Sequence, residues 1–362
     1  MSEPLLPISV LTGFLGSGKT TLLNRLLRHP GMARTAVVIN EFGEIGIDHA
    51  LVESAKDDVV LMQSGCLCCT IRGDMVDTLR SLYVRRVRNE IPEFDRLVIE
   101  TTGLADPAPI LHTLMADPFL VARYRLDGVV TTVDAVNGEG TLDRHMEAVK
   151  QAAVADRIVL TKTDLAGAEA VAALEARLRA LNPAAPLLRA VKGEIEPAVL
   201  FDAGLYNPAT KSLDAQRWLK EESYETAHEH DHAHGHDHGH EHGHAHQHAG
   251  DPNRHDDRIR AFCLRLERPL PWDTVATWLE LLANYRGQDL LRVKAILNVA
   301  ESDKPVVVHG VQHLFHPPVT LDAWPDEDRA SRLVFIVRDM TPDTVKSMLS
   351  ALEGAGGRVS VA

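Results

Sequence analysis

Residues 13–20 read GFLGSGKT, and the fold follows from what flanks them. Before them runs the apolar stretch LLPISVLTG; after them KTTLLNRLLRH carries apolar residues at helical spacing. A buried strand, a glycine-rich turn and a helix in that order make a phosphate loop of pattern G-x-x-x-x-G-K-[ST]. Its glycines let backbone N–H groups close around a β-phosphate, and the helix N-terminus adds partial positive charge. Gly13, Gly16, Ser17, Gly18, Lys19, Thr20 and Thr21 are therefore the expected nucleotide contacts. Lys19 should bridge the β- and γ-phosphates, and Thr20 should hold Mg²⁺.

Further along, TAVVIN, DDVVLMQ, DRLVIE, DGVVTTVD and DRIVLTK read as strands, and GDMVDTLRSLYVRRVRNE as an amphipathic helix. Buried strands alternating with helices predict an α/β fold with a mostly parallel sheet covered on both faces. RLVIETTG, residues 96–103, is a strand that ends in Glu100, with Gly103 three residues on. A carboxylate at that strand tip suits the Mg²⁺ and water network, which makes Glu100 and Lys19 the expected catalytic pair. Gly103 offers a backbone N–H to the γ-phosphate. VLTKTD, residues 159–164, suits guanine, whose N1–H and N2–H₂ both point at one carboxylate acceptor. Asp164 takes that role, with the Lys162 stem along the base and Thr161 where Asn is more usual. Adenine offers no such donor pair, so GTP is expected rather than ATP.

A length of 362 residues suggests two domains or three. Asp+Glu 51 against Lys+Arg 38 gives a net charge of -13, which argues against nucleic acid as the main partner. The N-terminus has no basic region before its short apolar run, so no signal peptide is expected. No apolar run approaches the roughly 18 residues of a membrane span. Four cysteines make no disulfide framework, and the cytoplasm is the expected location.

Residues 228–248 alternate histidine with small or acidic residues and, at 247, glutamine: His228, His230, His232, His234, His236, His238, His240, His242, His244, His246 and His248. These are eleven of the 19 histidines, in a run that cannot build a core. Neutral imidazole ligates metals, so the tract reads as a weak, high-capacity metal buffer with little selectivity. Composition divides the chain into 1–212, a P-loop domain; 213–256, a His-rich disordered linker; and 257–362, a smaller α+β domain. In the last part RIRAFCLRLE and RLVFIVRD read as strands, and WDTVATWLELLANY and TPDTVKSMLSALE as helices. His309, His313 and His316 in HGVQHLFHP are expected to be structural or to face a partner rather than to be ligands.

SGCLCCT, residues 64–70, places Cys66, Cys68 and Cys69 on what reads as one short turn; Cys263 is the remaining cysteine. Core packing does not follow that spacing, and the pairs are tighter than the usual Cys-x-x-Cys of redox chemistry. Thiolate ligation of zinc or a similar metal is the third reading. Three thiolates are one short of a closed tetrahedral site, so Glu44, in NEFGEIGID, or water is the candidate fourth ligand. The open shell suits a metal that must leave again. The cysteines also lie between the phosphate loop and the acidic strand, where GTPases respond to the γ-phosphate.

Taken in order, the phosphate loop, NEFGEIGID, GCLCCT, ETTG and TKTD resemble the CobW-type metallochaperone GTPases. LLRVKAILNV and GVQHLFHP look like that family's C-terminal domain. The resemblance implies a GTPase that binds zinc, or alternatively cobalt, and hands it to a client metalloprotein. It implies Cys66, Cys68 and Cys69 as metal ligands, Glu100 as the strand-tip acid, and Thr161 to Asp164 as the guanine contacts. Ile39 stands where some relatives carry an acidic residue. The expected cofactors are GTP, Mg²⁺ and Zn²⁺ or Co²⁺; neither nucleic acid nor membrane is an expected partner, and an oligomer is compatible. Other readings are a metal-storage protein with structural GTP, cobalt handling for cobalamin synthesis, or a redox-sensing NTPase.

Overall fold

A computed structural model of the chain describes residues 5–40, 52–54, 59–62, 67–70, 74–201 and 258–356. The first sheet holds β1 (Leu6–Gly13), β2 (Thr35–Asn40), β3 (Val52–Ser54), β4 (Val59–Met62), β5 (Leu67–Thr70), β6 (Arg96–Thr101), β7 (Tyr124–Asp134), β8 (Arg157–Thr161) and β9 (Leu187–Ala190). Their order is β3-β4-β5-β2-β6-β1-β7-β8-β9. Every pairing from β5 across to β9 is parallel, and β3 and β4 add an antiparallel edge.

Strand alternation builds the two covered faces. Ala36, Val38, Leu97 and Ile99 join one core; Val37, Ile39 and Val98 join another beneath α1 (Lys19–Leu27). The first face is covered by α2 (Met75–Val87), α3 (Ala108–Ala116), α4 (Pro118–Val121), α5 (Gly138–Arg144), α6 (Met146–Ala153) and α7 (Ala168–Leu181).

The stretch LCCT, expected as a turn, is strand β5. Val37 and Val38 of β2 pair with Cys68 and Cys69, and Val60 and Val59 of β4 pair with the same two residues from the other side. Two flanking strands satisfy this backbone, which local turn chemistry could not announce.

The second sheet is antiparallel: β10 (Ile259–Leu266), β11 (Leu290–Leu297), β12 (Val306–Val311), β13 (Leu314–Phe315), β14 (Val319–Thr320) and β15 (Ser331–Arg338). Its order is β10-β15-β11-β12-β13, with β14 on β12. One face packs Phe262, Leu264, Phe335 and Val337 against α8 (Trp272–Arg286) and α9 (Pro342–Gly356), around the buried Trp278. The opposite face, with Ile259, Ala261, Val334 and Ile336, merges into the core of the N-terminal domain. The proposed boundaries at 212/213 and 256/257 and the histidine tract lie outside the described residues. Among the described residues no helix is long and apolar enough to cross a membrane.

A buried ion cluster crosses the domain interface. Asp156 Oδ1 lies 3.1 Å from Arg292 Nη2 and 2.7 Å from Lys294 Nζ, and Asp156 Oδ2 accepts from Val129 N at 3.0 Å. Burial alone would raise the Asp156 carboxyl; Arg292 and Lys294 overcome it and hold it below its ordinary range.

The histidines of HGVQHLFHP pack within the C-terminal domain. His309 stacks on His316 at 4.6 Å, and His313 Nδ1 lies 3.2 Å from Ala283 O. Burial, then the neighbouring His316 and Arg292, hold His309 well below its ordinary value of 6.5; Asp156 opposes them and Lys294 adds to them. A histidine kept neutral by folding contributes stability that is full above the unfolded value and is lost as pH falls below it. Stability should therefore decline below about pH 6.5, by at most about 1.4 kcal/mol per pH unit for this imidazole. Urea midpoints from pH 8 to pH 5 should show the slope in the native chain and a shallower one in His309→Gln. Parallel curves would remove His309 as the cause.

Candidate nucleotide and metal site

Glycine is required where β1 turns into α1. Gly13 has φ 140°, and a Cβ there would fall 2.2 Å from Thr132 Oγ1. Gly16 and Gly18 also take positive φ, 72° and 91°, and Gly18 is the left-handed N-cap of α1. Ser17 and Thr132 join hydroxyls at 2.7 Å, which ties the loop to the end of β7. Lys19 is buried, and its ammonium donates to Gly13 O at 2.8 Å and Phe14 O at 3.2 Å. Thr21 is exposed on α1, its carbonyl close beneath Gly193.

Opposite the loop, the tip of β6 brings in Glu100, 1% exposed. Thr20 Oγ1 donates to Glu100 Oε1 at 3.2 Å, so the hydroxyl and the carboxylate expected around Mg²⁺ meet across 80 residues of chain. Both are hard oxygen donors, the kind of set that Mg²⁺ takes. Gly103 packs against the loop so closely that a Cβ would lie 2.7 Å from Leu15 N.

On the far side, Thr161 Oγ1 lies 2.7 Å from Ser17 O and 3.3 Å from Val133 O, bracing the loop against β8. Lys162 takes the left-handed φ of 55°, and its ammonium donates to Gly16 O at 2.8 Å and Asp134 Oδ2 at 2.7 Å. Its stem is thereby spread along the loop's rim, and Asp164 is exposed just beyond. Burial tends to raise the Asp134 carboxyl, but Lys162, Asn137 and the Val136 N–H outweigh it, and the group stays below its ordinary range.

Thr132, Asp134 and Gln151 escaped the sequence reading. Gln151 Nε2 donates to Gly103 O at 3.2 Å and Ala105 O at 2.9 Å. The one signal for the first two was the polar end of an apolar strand, TTVD. A cavity of 220 Å³ opens beside the loop between Leu15, Asp134, His145 and Gln151, with Phe14 stacked on His145 at 4.4 Å.

The cysteine strand is brought near the acid by sheet order. Cys69 pairs with Val38, and Val38 pairs with Ile99, the residue before Glu100. Only β2 separates the cysteine strand from the strand carrying Glu100. Cys66 and Glu44 lie outside the described residues.

The CobW/HypB/UreG nucleotide-binding domain family matches residues 7–189, and the cobalamin synthesis protein CobW C-terminal domain matches residues 259–353. The zinc chaperone YjiA of Escherichia coli is 31% identical over 345 residues, 95% of this chain and 98% of that protein. The zinc chaperone CobW of Pseudomonas aeruginosa is 29% identical, covering 95% of this chain and 90% of that one. The zinc-regulated GTPase metalloprotein activator 1 of Schizosaccharomyces pombe is 33% identical over 58% of this chain and 52% of its own length. The crystal structure of Zn(II)-bound YjiA GTPase from E. coli superposes with a TM-score of 0.71 at 30% identity, covering 96% of this chain and 99% of that one. With both of its domains matched along nearly their whole length, the chain belongs to the CobW/HypB/UreG family, in the form that carries a CobW C-terminal domain.

Proposed function

We propose that this protein is a GTP-hydrolysing zinc metallochaperone whose metal affinity follows its nucleotide state. The observation that carries the reading is the joining of the Thr20–Glu100 pair at the phosphate loop to the cysteine strand through β2. The zinc in the names of its relatives supports zinc as the cargo, and cobalt is the alternative. Lys19 neutralises phosphate charge, Thr20 and Glu100 would hold Mg²⁺, and Asp164 accepts from guanine while Lys162 lies along it. Held by Thr20 and Glu100, Mg²⁺ would supply charge neutralisation for the phosphates. Glu100, or the water network it anchors, orients the attacking water. Gly103 brings its N–H to the γ-phosphate, and Cys66, Cys68 and Cys69 hold the zinc, with Glu44 as a fourth ligand. The histidine tract serves as a reservoir, the cytoplasm is the setting, and a metalloprotein client is the acceptor.

If GTP draws the thiolates together, zinc affinity should be higher with a non-hydrolysable GTP analogue than with GDP. A usable switch needs a coupling of about 1–3 kcal/mol, roughly 5- to 150-fold. Competition against a chelator in each nucleotide state measures it, and bound zinc must tighten the analogue by the same factor. Cys68→Ser should abolish both tight zinc binding and the coupling while apo nucleotide affinity stays intact. Equal zinc affinities in the two states would reduce the protein to a metal-binding GTPase without a gate. The eleven histidines favour one second reading, a storage protein with structural GTP; its mark would be hydrolysis that neither metal nor client changes.

A further inference from the structure

The segment that leaves Glu100 is gripped from the phosphate loop to the C-terminal domain. At its near end Gly103 lies against Leu15, and Gln151, 1% exposed, holds Gly103 O and Ala105 O together. The next residue of α6 away from Gln151, Lys150, donates to Asp106 Oδ2 at 2.7 Å. Asp106 Oδ2 also accepts from Gln312 Nε2 at 3.2 Å, a contact across 206 residues of sequence. Asp106 Oδ1 takes the Ala108 N–H at the start of α3, and from that helix His112 Nε2 reaches Val311 O at 2.6 Å. A carbonyl only accepts, so the proton is on Nε2.

Gln312 is itself an anomaly. It holds φ 53°, the left-handed region that a glutamine rarely enters, with its N–H bonded to Leu290 O at 2.7 Å. Glycine or asparagine would make this turn with less strain. A strained residue whose side chain bridges two domains points to a use for that side chain.

We propose that Asp106 and Gln312 are positioning residues of a relay through which the C-terminal domain senses and biases the nucleotide state of the phosphate loop. The proposal rests on the reading that Gly103 approaches the γ-phosphate. Only Leu104 and Ala105 separate Gly103 from Asp106, and Gln151 ties Gly103 O to Ala105 O, so a shift at Gly103 is passed on toward Asp106. A movement of Gly103 toward phosphate therefore changes the Asp106–Gln312 bond and its neighbour, His112 to Val311. Linkage runs both ways: a change at the β12–β13 turn, such as a protein docked on the C-terminal domain, alters the preference for GTP over GDP.

Hydrogen exchange on the full chain, loaded with GDP or with a non-hydrolysable GTP analogue, tests this. Peptides covering 100–106 and 306–316 should both change protection with nucleotide in the native chain. In Gln312→Ala the response at 306–316 should shrink to what the His112 to Val311 contact passes on, while that at 100–106 remains. The ratio of analogue to GDP affinity should shift by about fivefold or more, in Gln312→Ala and in Asp106→Asn. Loss of a merely structural bond would weaken both nucleotides alike and leave that ratio unmoved. An unchanged ratio in both variants, with 306–316 silent to nucleotide, would overturn the relay. Silence at 100–106 in the native chain would overturn the reading of Gly103, and the relay with it.

Discussion

Asp156→Ala should lower the unfolding free energy of the intact chain by about 3–5 kcal/mol, the cost of breaking a buried ion pair from one side. Arg292 and Lys294 both reach the Asp156 carboxylate in the interface, and the side chains of Asp156 and Arg292 are 2% and 3% exposed. Removing Asp156 takes the carboxylate from two buried cations and orphans the Val129 N–H. Among the described residues Arg292 Nε and Nη1 have no hydrogen-bond partner, so no second acceptor among them shares the loss. Asp156→Asn should cost less, because the amide oxygen can still accept from Val129 while the charge is gone. Urea unfolding followed by tryptophan fluorescence, to which Trp272, Trp278 and Trp324 of the C-terminal domain contribute alongside Trp218, reads the effect. A loss below about 1 kcal/mol, the scale of a solvated surface pair, would mean that water reaches the two cations.

Lys19→Ala should cut GTP hydrolysis by about 10²–10³-fold, the usual loss when one preorganised donor to developing charge is removed. The loop carbonyls of Gly13 and Phe14 hold the ammonium across the phosphate loop, so it is positioned before any nucleotide arrives. Negative charge migrates toward the β–γ bridge as that bond breaks, so the interaction strengthens in the transition state. The fall should therefore appear mainly in kcat, with a smaller rise in KM. Steady-state rates at saturating Mg²⁺ decide it, and a variant that raises KM while keeping kcat would assign Lys19 to binding alone.

The phosphate loop was legible from sequence because its requirements are local. Gly13, Gly16 and Gly18 answer to positive backbone angles within one turn, and a strand before and a helix after follow from apolar spacing. The parallel sheet was legible for a similar reason: strands buried on both faces need a continuous apolar centre, and β2, β6 and β8 have one at residues 36–39, 97–99 and 158–160. Sheet order decided what the sequence could not show. LCCT became a strand because β2 and β4 flank it, and no residue within the stretch announces those neighbours. Thr132 and Asp134 entered the site because β7 lies beside β1, and Gln151 because α6 crosses behind Gly103. The joint between the domains was the least legible part. Asp156 and Arg292 stand 136 residues apart, and each alone reads as an ordinary charged residue at a strand. Charge burial is a property of the place where two surfaces close, so only the folded chain could decide that these residues bind the domains together.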